Sequence, residues 1–345
     1  MSVVIEHEIQ DTSILAIAEF VARRYMERAD PDPGYQNDLC LQGLLCLHQR
    51  TARPEYLDYV IQTLRHRGSL PSDSLNWQIL FTDIHSELWR HTGDSRFMDG
   101  WLEDLETYDR HLPRDASGRI VFFKEPERQR LLIDMLQGYC LRMARAGAFT
   151  GNQAYYGYAA GQYLRYAEVL VNPDNGLWHH GRGWDTDDPE ALSPEGWCRG
   201  QAWVVRGLVE SLAVIPETLW AHHELHRLLI DLVTALLRFQ GRDGMWHQVV
   251  HEPNYTYPET SGTGMIVYYL SKAWVNGWLS GPACLDSLRR AQSALRHFVD
   301  DRGRVYNGCP HSPPRGRPID YIVMPPDIDD RHAVAAMMMA LSVDL

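Results

Sequence analysis

Lysine is nearly missing from this chain. Of 33 basic residues only Lys124 and Lys272 are lysines. No basic run occurs and the net charge is −12, which excludes the electrostatic footprint of a nucleic-acid binder. No window approaches the roughly 20 consecutive apolar residues of a membrane span. The opening MSVVIEHEIQDTS has neither a basic start nor an apolar stretch of signal-peptide length. The six cysteines, at positions 40, 46, 140, 198, 284 and 309, include no CxxC pair. Read as free thiols, three of them in apolar helical stretches, they point to a reducing compartment, the cytoplasm. Extended period-two alternation is also lacking, so no large sheet is expected.

What is present is helical periodicity. Amphipathic segments lie near 12–29, 36–50, 54–67, 75–92, 96–110, 129–147, 151–170, 197–214, 217–240, 260–275, 284–299 and 331–343, separated by clusters of Gly, Pro, Asn and Asp. Residues 120–123 and 246–250 read as short hairpin strands. A repeat recurs at three helix ends: Thr51 to Tyr56, Thr92 to Phe97 and Thr150 to Tyr155 each begin with Thr and reach an aromatic five residues later. Repeats at the spacing of helix pairs indicate stacked hairpins. The intervals, 41 and 58 residues, are uneven, which favours a closed ring with insertions over a regular solenoid. The expected fold is all-α, an (α/α)6 barrel of six helical hairpins, with residues 1–345 as one domain and a pocket at the mouth of the ring.

Tryptophan and tyrosine are plentiful, at 11 and 17, against 8 phenylalanines. Amphipathic rings suit stacking on sugars, though they serve equally as core. Three segments combine such rings with polar groups. Trp197-Cys198-Arg199-Gly200-Gln201-Ala202-Trp203 opens an apolar helix. Tyr257-Pro258-Glu259-Thr260-Ser261-Gly262-Thr263 opens another. Free N–H groups at a helix start favour an anion, and Arg199 adds a planar fork suited to a carboxylate. The plainer alternative is a cap at Ser193 or Thr260 and an ordinary ion pair for Arg199. Gly176-Leu177-Trp178-His179-His180 forms an irregular loop with paired histidines. The His222/His226 pair has a zinc-compatible i, i+4 spacing but is not HExxH and falls in the first turns of a helix pattern, so no metal or cofactor is expected. Asp327 to Asp330 reads as a cap for the last helix.

At these segments the chain resembles glycoside hydrolase family 105, the unsaturated rhamnogalacturonyl hydrolases, and more distantly family 88. The motifs carrying the resemblance are Trp-x-Arg-x-x-x-Trp (197–203), Glu-[Ser/Thr]-Ser-Gly-[Ser/Thr] (259–263), Gly-Leu-aromatic-x-His (176–180), and Asp320-Tyr321-Ile322-Val323 followed by His332 to Ala336. Their order agrees from about Tyr35 to the end. The resemblance implies the same barrel and a hydrolase that hydrates the C4=C5 bond of a 4,5-unsaturated uronic acid at the non-reducing end of a small oligosaccharide. It places a catalytic acid at Asp134, within the helical pattern following Lys124, where four apolar neighbours suggest an inner wall. It implies substrate contacts from Tyr35, Asn76, Lys124, His180, Trp197, Arg199, Trp203, Glu259 and His332. The chain departs from the family where a second Asp is expected: the position falls on Trp77, beside Asn76, and Asp73 lies one helical turn earlier. Asp73 is taken as the second catalytic candidate, with a helix cap as its alternative. Phe123 also stands where the family has His. A lyase or epimerase on the same barrel, or a sugar-binding relative without activity, are the competing readings, and a homodimer is left open.

Overall fold

The computed structural model of the chain describes residues 13–28, 34–67 and 83–345. Five helices are buried on nearly every side, α2 (Tyr35–Thr51), α6 (Leu141–Thr150), α8 (Cys198–Leu212), α10 (Thr260–Val275) and α13 (Arg331–Ala340), and the shorter α4 (Ile84–Thr92) joins them in the inner ring with Ile84, Ser86 and Leu88 buried. Every residue of α8 is buried, as suits a helix surrounded by others. Six more bury a single face: α1 (Ile14–Glu27), α3 (Pro54–Arg67), α5 (Trp101–His111), α7 (Ala154–Leu170), α9 (Trp220–Phe239) and α11 (Pro282–Leu295). In α9 that stripe is Ala221, Leu225, Leu228, Leu229, Leu232 and Leu236, the spacing of an amphipathic outer helix.

Inner and outer helices alternate along the chain. Around the ring α2 packs on α13, α13 on α10, α10 on α8, α8 on the start of α6, and α4 on α2. The ring closes through charge, because Arg145 of α6 pairs with Glu87 of α4. A short α12 (Pro318–Ile322) precedes α13. Asp330 caps α13 as expected, accepting the N–H groups of His332 and Ala333. Among the described residues no helix is long and apolar enough to cross a membrane.

The Thr repeat is a helix-stop device. Each Thr hydroxyl donates to the carbonyl four residues back, at 2.7 Å in all three cases. Each also accepts the N–H two residues on. The residue between is left-handed: Ala52 at φ 56°, Gly93 at 72° and Gly151 at 74°. The Thr satisfies a carbonyl that the helix end leaves bare, and the left-handed residue turns the chain out.

Two sequence expectations need correction. The segment 129–147 is not helical throughout. Leu131–Leu132 forms β1, antiparallel to β2 at Gly181–Arg182, and the helix begins at Asp134, with a π turn at Leu136–Cys140 before α6. The pairing is close: a Cβ on Gly181 would lie 2.4 Å from the Leu131 carbonyl oxygen. The strands expected at 120–123 and 246–250 reduce to single bridges, Ile120 to Arg114, Val249 to Trp197 and His247 to Pro258. Loops crossing the barrel mouth meet there without running alongside each other far enough to form a ladder.

The three stops also make a prediction. Ala52 holds a conformation that costs an L-residue roughly 1–2 kcal/mol and glycine little. Ala52→Gly is expected to raise unfolding free energy by about 1 kcal/mol. Urea denaturation checks it, and a loss of stability would contradict the account.

Candidate active site

The N-termini of α2 and α8 and the helix start at Asp134 meet at one end of the ring, and a cavity of about 530 Å³ opens there. Tyr35, Lys124, Asp134, His180, Trp197, Arg199 and Trp203 all line it. Of the expected site residues, Glu259 and His332 do not, and Asp73 and Asn76 lie outside the described residues. Leu132, beside Asp134, and Trp184, which follows the paired histidines in sequence, line it too; lining residues not singled out in the sequence are Gly34, Phe122 and the wall formed by His311, Ser312, Pro313 and Pro314.

Asp134 sits where β1 gives way to the helix. Its neighbours Leu132, Ile133, Met135 and Leu136 are buried, which turns the remaining side chain toward the cavity. Asp134 Oδ2 is buried without a hydrogen-bond partner. His180 Nε2 lies 3.7 Å from it. The helix start brings the positive end of its dipole to the carboxyl, and the π turn just beyond is a distortion common at functional sites.

His180 is held from two sides. Its ring stacks on Trp197 with centroids 3.9 Å apart, and Nδ1 lies 2.8 Å from the Tyr321 hydroxyl. That hydroxyl also accepts the N–H of Arg315 at 3.0 Å, and its own proton can go to Nδ1. Burial holds the His180 pKa below its ordinary value. With the Tyr321 proton on Nδ1, the neutral ring carries its N–H on Nε2, facing Asp134. Tyr321 thus helps fix the ring that faces Asp134.

Arg199 is buried, yet no carboxylate pairs with it among the described residues. Its Nη1 donates to the Cys309 carbonyl and, at 3.3 Å, to Ser261 Oγ, and its Nη2 donates to the Pro310 carbonyl at 2.9 Å. Its guanidinium lies over the Trp197 ring at 4.9 Å. The fork expected to face a ligand instead holds backbone, leaving Nε as the donor without a partner. Glu259 works on the same segment. It caps α10 through the N–H groups of Ser261 and Gly262 at 2.7 and 2.6 Å, and accepts the Cys309 N–H at 3.0 Å. The glycine of that motif is needed for closeness: a Cβ on Gly262 would lie 2.7 Å from the Cys198 carbonyl carbon and 2.8 Å from Arg199 N. Glu259 thus positions a wall of the cavity from behind. His332 stands behind Tyr35, with Nδ1 3.0 Å from Asp330 and Nε2 3.1 Å from the Tyr35 hydroxyl. Burial lowers the His332 pKa and pushes Tyr35 up to about 12.

Tyr35, Trp184, Trp197 and Trp203 bring aromatic rings to the cavity. Trp184 is fixed by its indole N–H on the Leu131 carbonyl at 2.7 Å and by Arg130 over its ring at 4.8 Å. Among the described lining residues Asp134 is the one carboxyl, with Lys124 and Arg199 as cations.

Comparison with known proteins accords with this geometry. The chain is 25% identical over 273 residues to the unsaturated rhamnogalacturonyl hydrolase YesR of Bacillus subtilis (strain 168), covering 76% of this chain and 75% of that protein. In fold it matches a family 105 glycoside hydrolase of C. acetobutylicum ATCC 824, with a TM-score of 0.82 at 21% identity, over 94% of this chain and 98% of that one. It also matches the unsaturated glucuronyl hydrolase of Bacillus sp. GL1, with a TM-score of 0.71 at 17% identity, over 95% of each chain. These are (α/α)6 barrel enzymes, and the alternation of inner and outer helices is that barrel. With residues 14–343 matching the family model, the chain belongs to Glycosyl Hydrolase Family 88.

Proposed function

We propose that the protein releases a 4,5-unsaturated uronic acid from the non-reducing end of a small oligosaccharide of the pectin rhamnogalacturonan type. The observation that carries this reading is a single carboxyl, Asp134, with an unpartnered oxygen, in an aromatic cavity that also holds Lys124 and Arg199. Hydrolysis by displacement at the anomeric carbon uses two carboxyl groups across the scissile bond. Hydration of an alkene can use one.

The substrate's C4=C5 bond is conjugated to the ring oxygen. Asp134 gives its proton to C4, and the positive charge left at C5 is shared with the ring oxygen. Water adds to C5 and yields its proton to the Asp134 carboxylate, which restores the acid. The product is a hemiketal at C5. It opens to a ketone, breaking the bond from C5 to the ring oxygen. C1 becomes a hemiacetal and expels the remaining sugar as an alcohol. The uronate carboxylate is placed near Lys124 and the Arg199 Nε, where their charge is least screened. The adjoining sugar stacks on Trp184 opposite the 311–314 wall. Asp73, or Asn76 if Asp73 only caps a helix, is the proposed partner that orients water.

Asp134→Asn retains shape and removes the proton donor. Turnover of an unsaturated disaccharide, followed as loss of alkene absorbance, is expected to fall on the order of a thousandfold with the melting temperature little changed. Near-normal turnover would overturn the assignment, and a gain of absorbance on saturated polymer would indicate a lyase.

Arg199→Lys retains the charge but cannot hold both carbonyls. KM is expected to rise about tenfold or more, with a smaller effect on kcat. An unchanged KM would place the carboxylate elsewhere.

Tyr321→Phe leaves His180 Nδ1 without its donor. A fall in kcat of roughly ten- to a hundredfold at nearly constant KM is expected, since misplacing a reacting group costs rate more than binding. In ¹⁵N spectra of labelled histidine, the wild-type His180 should show Nε2 protonated and the variant a mixture. A wild-type signal with Nδ1 protonated would rule out the assigned role.

A further inference from the structure

Three of the Trp and Tyr rings that line the mouth cavity are already packed on charged or polar neighbours. Trp197 stacks on His180 with centroids 3.9 Å apart and lies under the Arg199 guanidinium at 4.9 Å. Tyr35 packs on His332 at 5.5 Å between centroids. Trp203 packs on the same histidine at 6.0 Å, with Arg206 over its ring. Trp184 is placed differently. Its ring meets Phe122, tilted by 58° at 4.9 Å, and the Arg130 guanidinium at 4.8 Å. Trp184 lines the cavity and Arg130 stands outside that lining. The guanidinium therefore backs the indole from the side away from the cavity.

Arg130 is the residue before β1, and it joins the segments around the indole. Its carbonyl accepts the Phe122 N–H at 2.8 Å, which closes the loop carrying Lys124. Its Nε donates to the Gly183 carbonyl at 3.1 Å, and its Nη1 pairs with Glu125 inside that loop. With Glu125 as its partner, Arg130 adds no third free cation for the uronate. The Trp184 indole N–H is spent on the carbonyl of Leu131, the next residue, at 2.7 Å. The ring passes over Gly181, where a Cβ would lie 2.9 Å from it. A hydrogen bond at one edge of an indole leaves its plane free to tilt about the N–H direction. A planar guanidinium, itself held at two nitrogens, removes that freedom.

We propose that Arg130 is a positioning residue that holds Trp184 as a flat face for the sugar leaving the uronate, and so favours a glycosyl over a smaller leaving group. This rests on the reading above, in which that sugar stacks on Trp184. Arg130 acts through Trp184, and its effect belongs to the second ring of the ligand alone.

The test compares two ligands that differ in that ring. One is an unsaturated disaccharide, and the other is the methyl glycoside of the same unsaturated uronate. Binding is measured by titration calorimetry in the Asp134→Asn protein, which is expected to leave both ligands intact. Arg130→Met should weaken the disaccharide about tenfold and the methyl glycoside less than about twofold. Trp184→Ala should show the same preference at least as strongly. Adding Arg130→Met to Trp184→Ala should weaken the disaccharide no further, because residues that act through one another are not additive. Should Arg130→Met fail to fold, Arg130→Lys serves: it keeps the charge, loses the planar fork, and should again weaken the disaccharide selectively. Equal weakening of both ligands, an unchanged disaccharide, or additive effects of the two substitutions overturns the proposal. Turnover by the unmodified protein reports separately on the reaction. A selective loss of disaccharide binding without any hydrolysis would sink the hydrolase reading and leave Arg130 as the support of a sugar-binding Trp184.

Discussion

A buried guanidinium that pairs with no carboxylate among the described residues organises the mouth of this barrel. Arg199 projects from the first turn of α8 and spends its two terminal nitrogens on the carbonyls of Cys309 and Pro310. Glu259, at the start of the neighbouring inner helix, takes the N–H of the same Cys309. One peptide segment is thus gripped on its donor side by an acid and on its acceptor side by a base. The chain that leaves this grip becomes the wall at 311–314. Charge-assisted bonds to backbone are stronger than neutral ones, and here they hold a loop that has no helix or strand of its own. Because the base is satisfied by dipoles and not by a carboxylate, its charge is still felt in the cavity beside Asp134.

The barrel and much of its site were legible in the sequence, for reasons that differ by element. Helices such as α8, α9 and α10 show in their periodicity, because burial over several turns writes itself into local pattern. The Thr stops show because a cap is made by residues adjacent in sequence. Asp134 was named from the resemblance, inside a helix pattern, whereas Trp197, Arg199 and Trp203 showed through a motif at a helix start. Tyr321 was quoted within a motif, but its role was not legible: it acts on His180 across 141 residues of separation. Glu259 looked like a ligand contact because polar groups at a helix start suit either task. Only the position of Cys309, fifty residues on, shows which it performs. The 129–133 segment misread as helix has the right apolar residues, but pairing with Gly181 and Arg182 draws Leu131 and Leu132 into a ladder. Asp73 and Asn76 fall outside the described residues, so the departure from the family pattern at that point is known from sequence alone.

The arrangement also explains how inner helices can be buried all round and still carry so much charge. The apolar core lies in the annulus between the rings, where α9 and α11 press Leu228, Leu229 and Leu288 inward. The axis is different. From the mouth downward it runs through Trp203, then Arg206 with Gln42 and Gln137, then Glu210 with Arg90, Arg145 and Lys272. Inner helices such as α2 and α8 are apolar toward the annulus and polar toward the axis, so their two faces are buried in different media. Removing one partner from such an axis leaves a charge without its counterpart in low dielectric, which costs far more than the pair contributes. Truncating a leucine in the annulus leaves a cavity instead. Folding is therefore secured mainly between the rings. That leaves the axis polar, with an aromatic, acid-bearing chamber at one end and a chamber lined by Glu87, Glu210, Arg90 and Lys272 at the other.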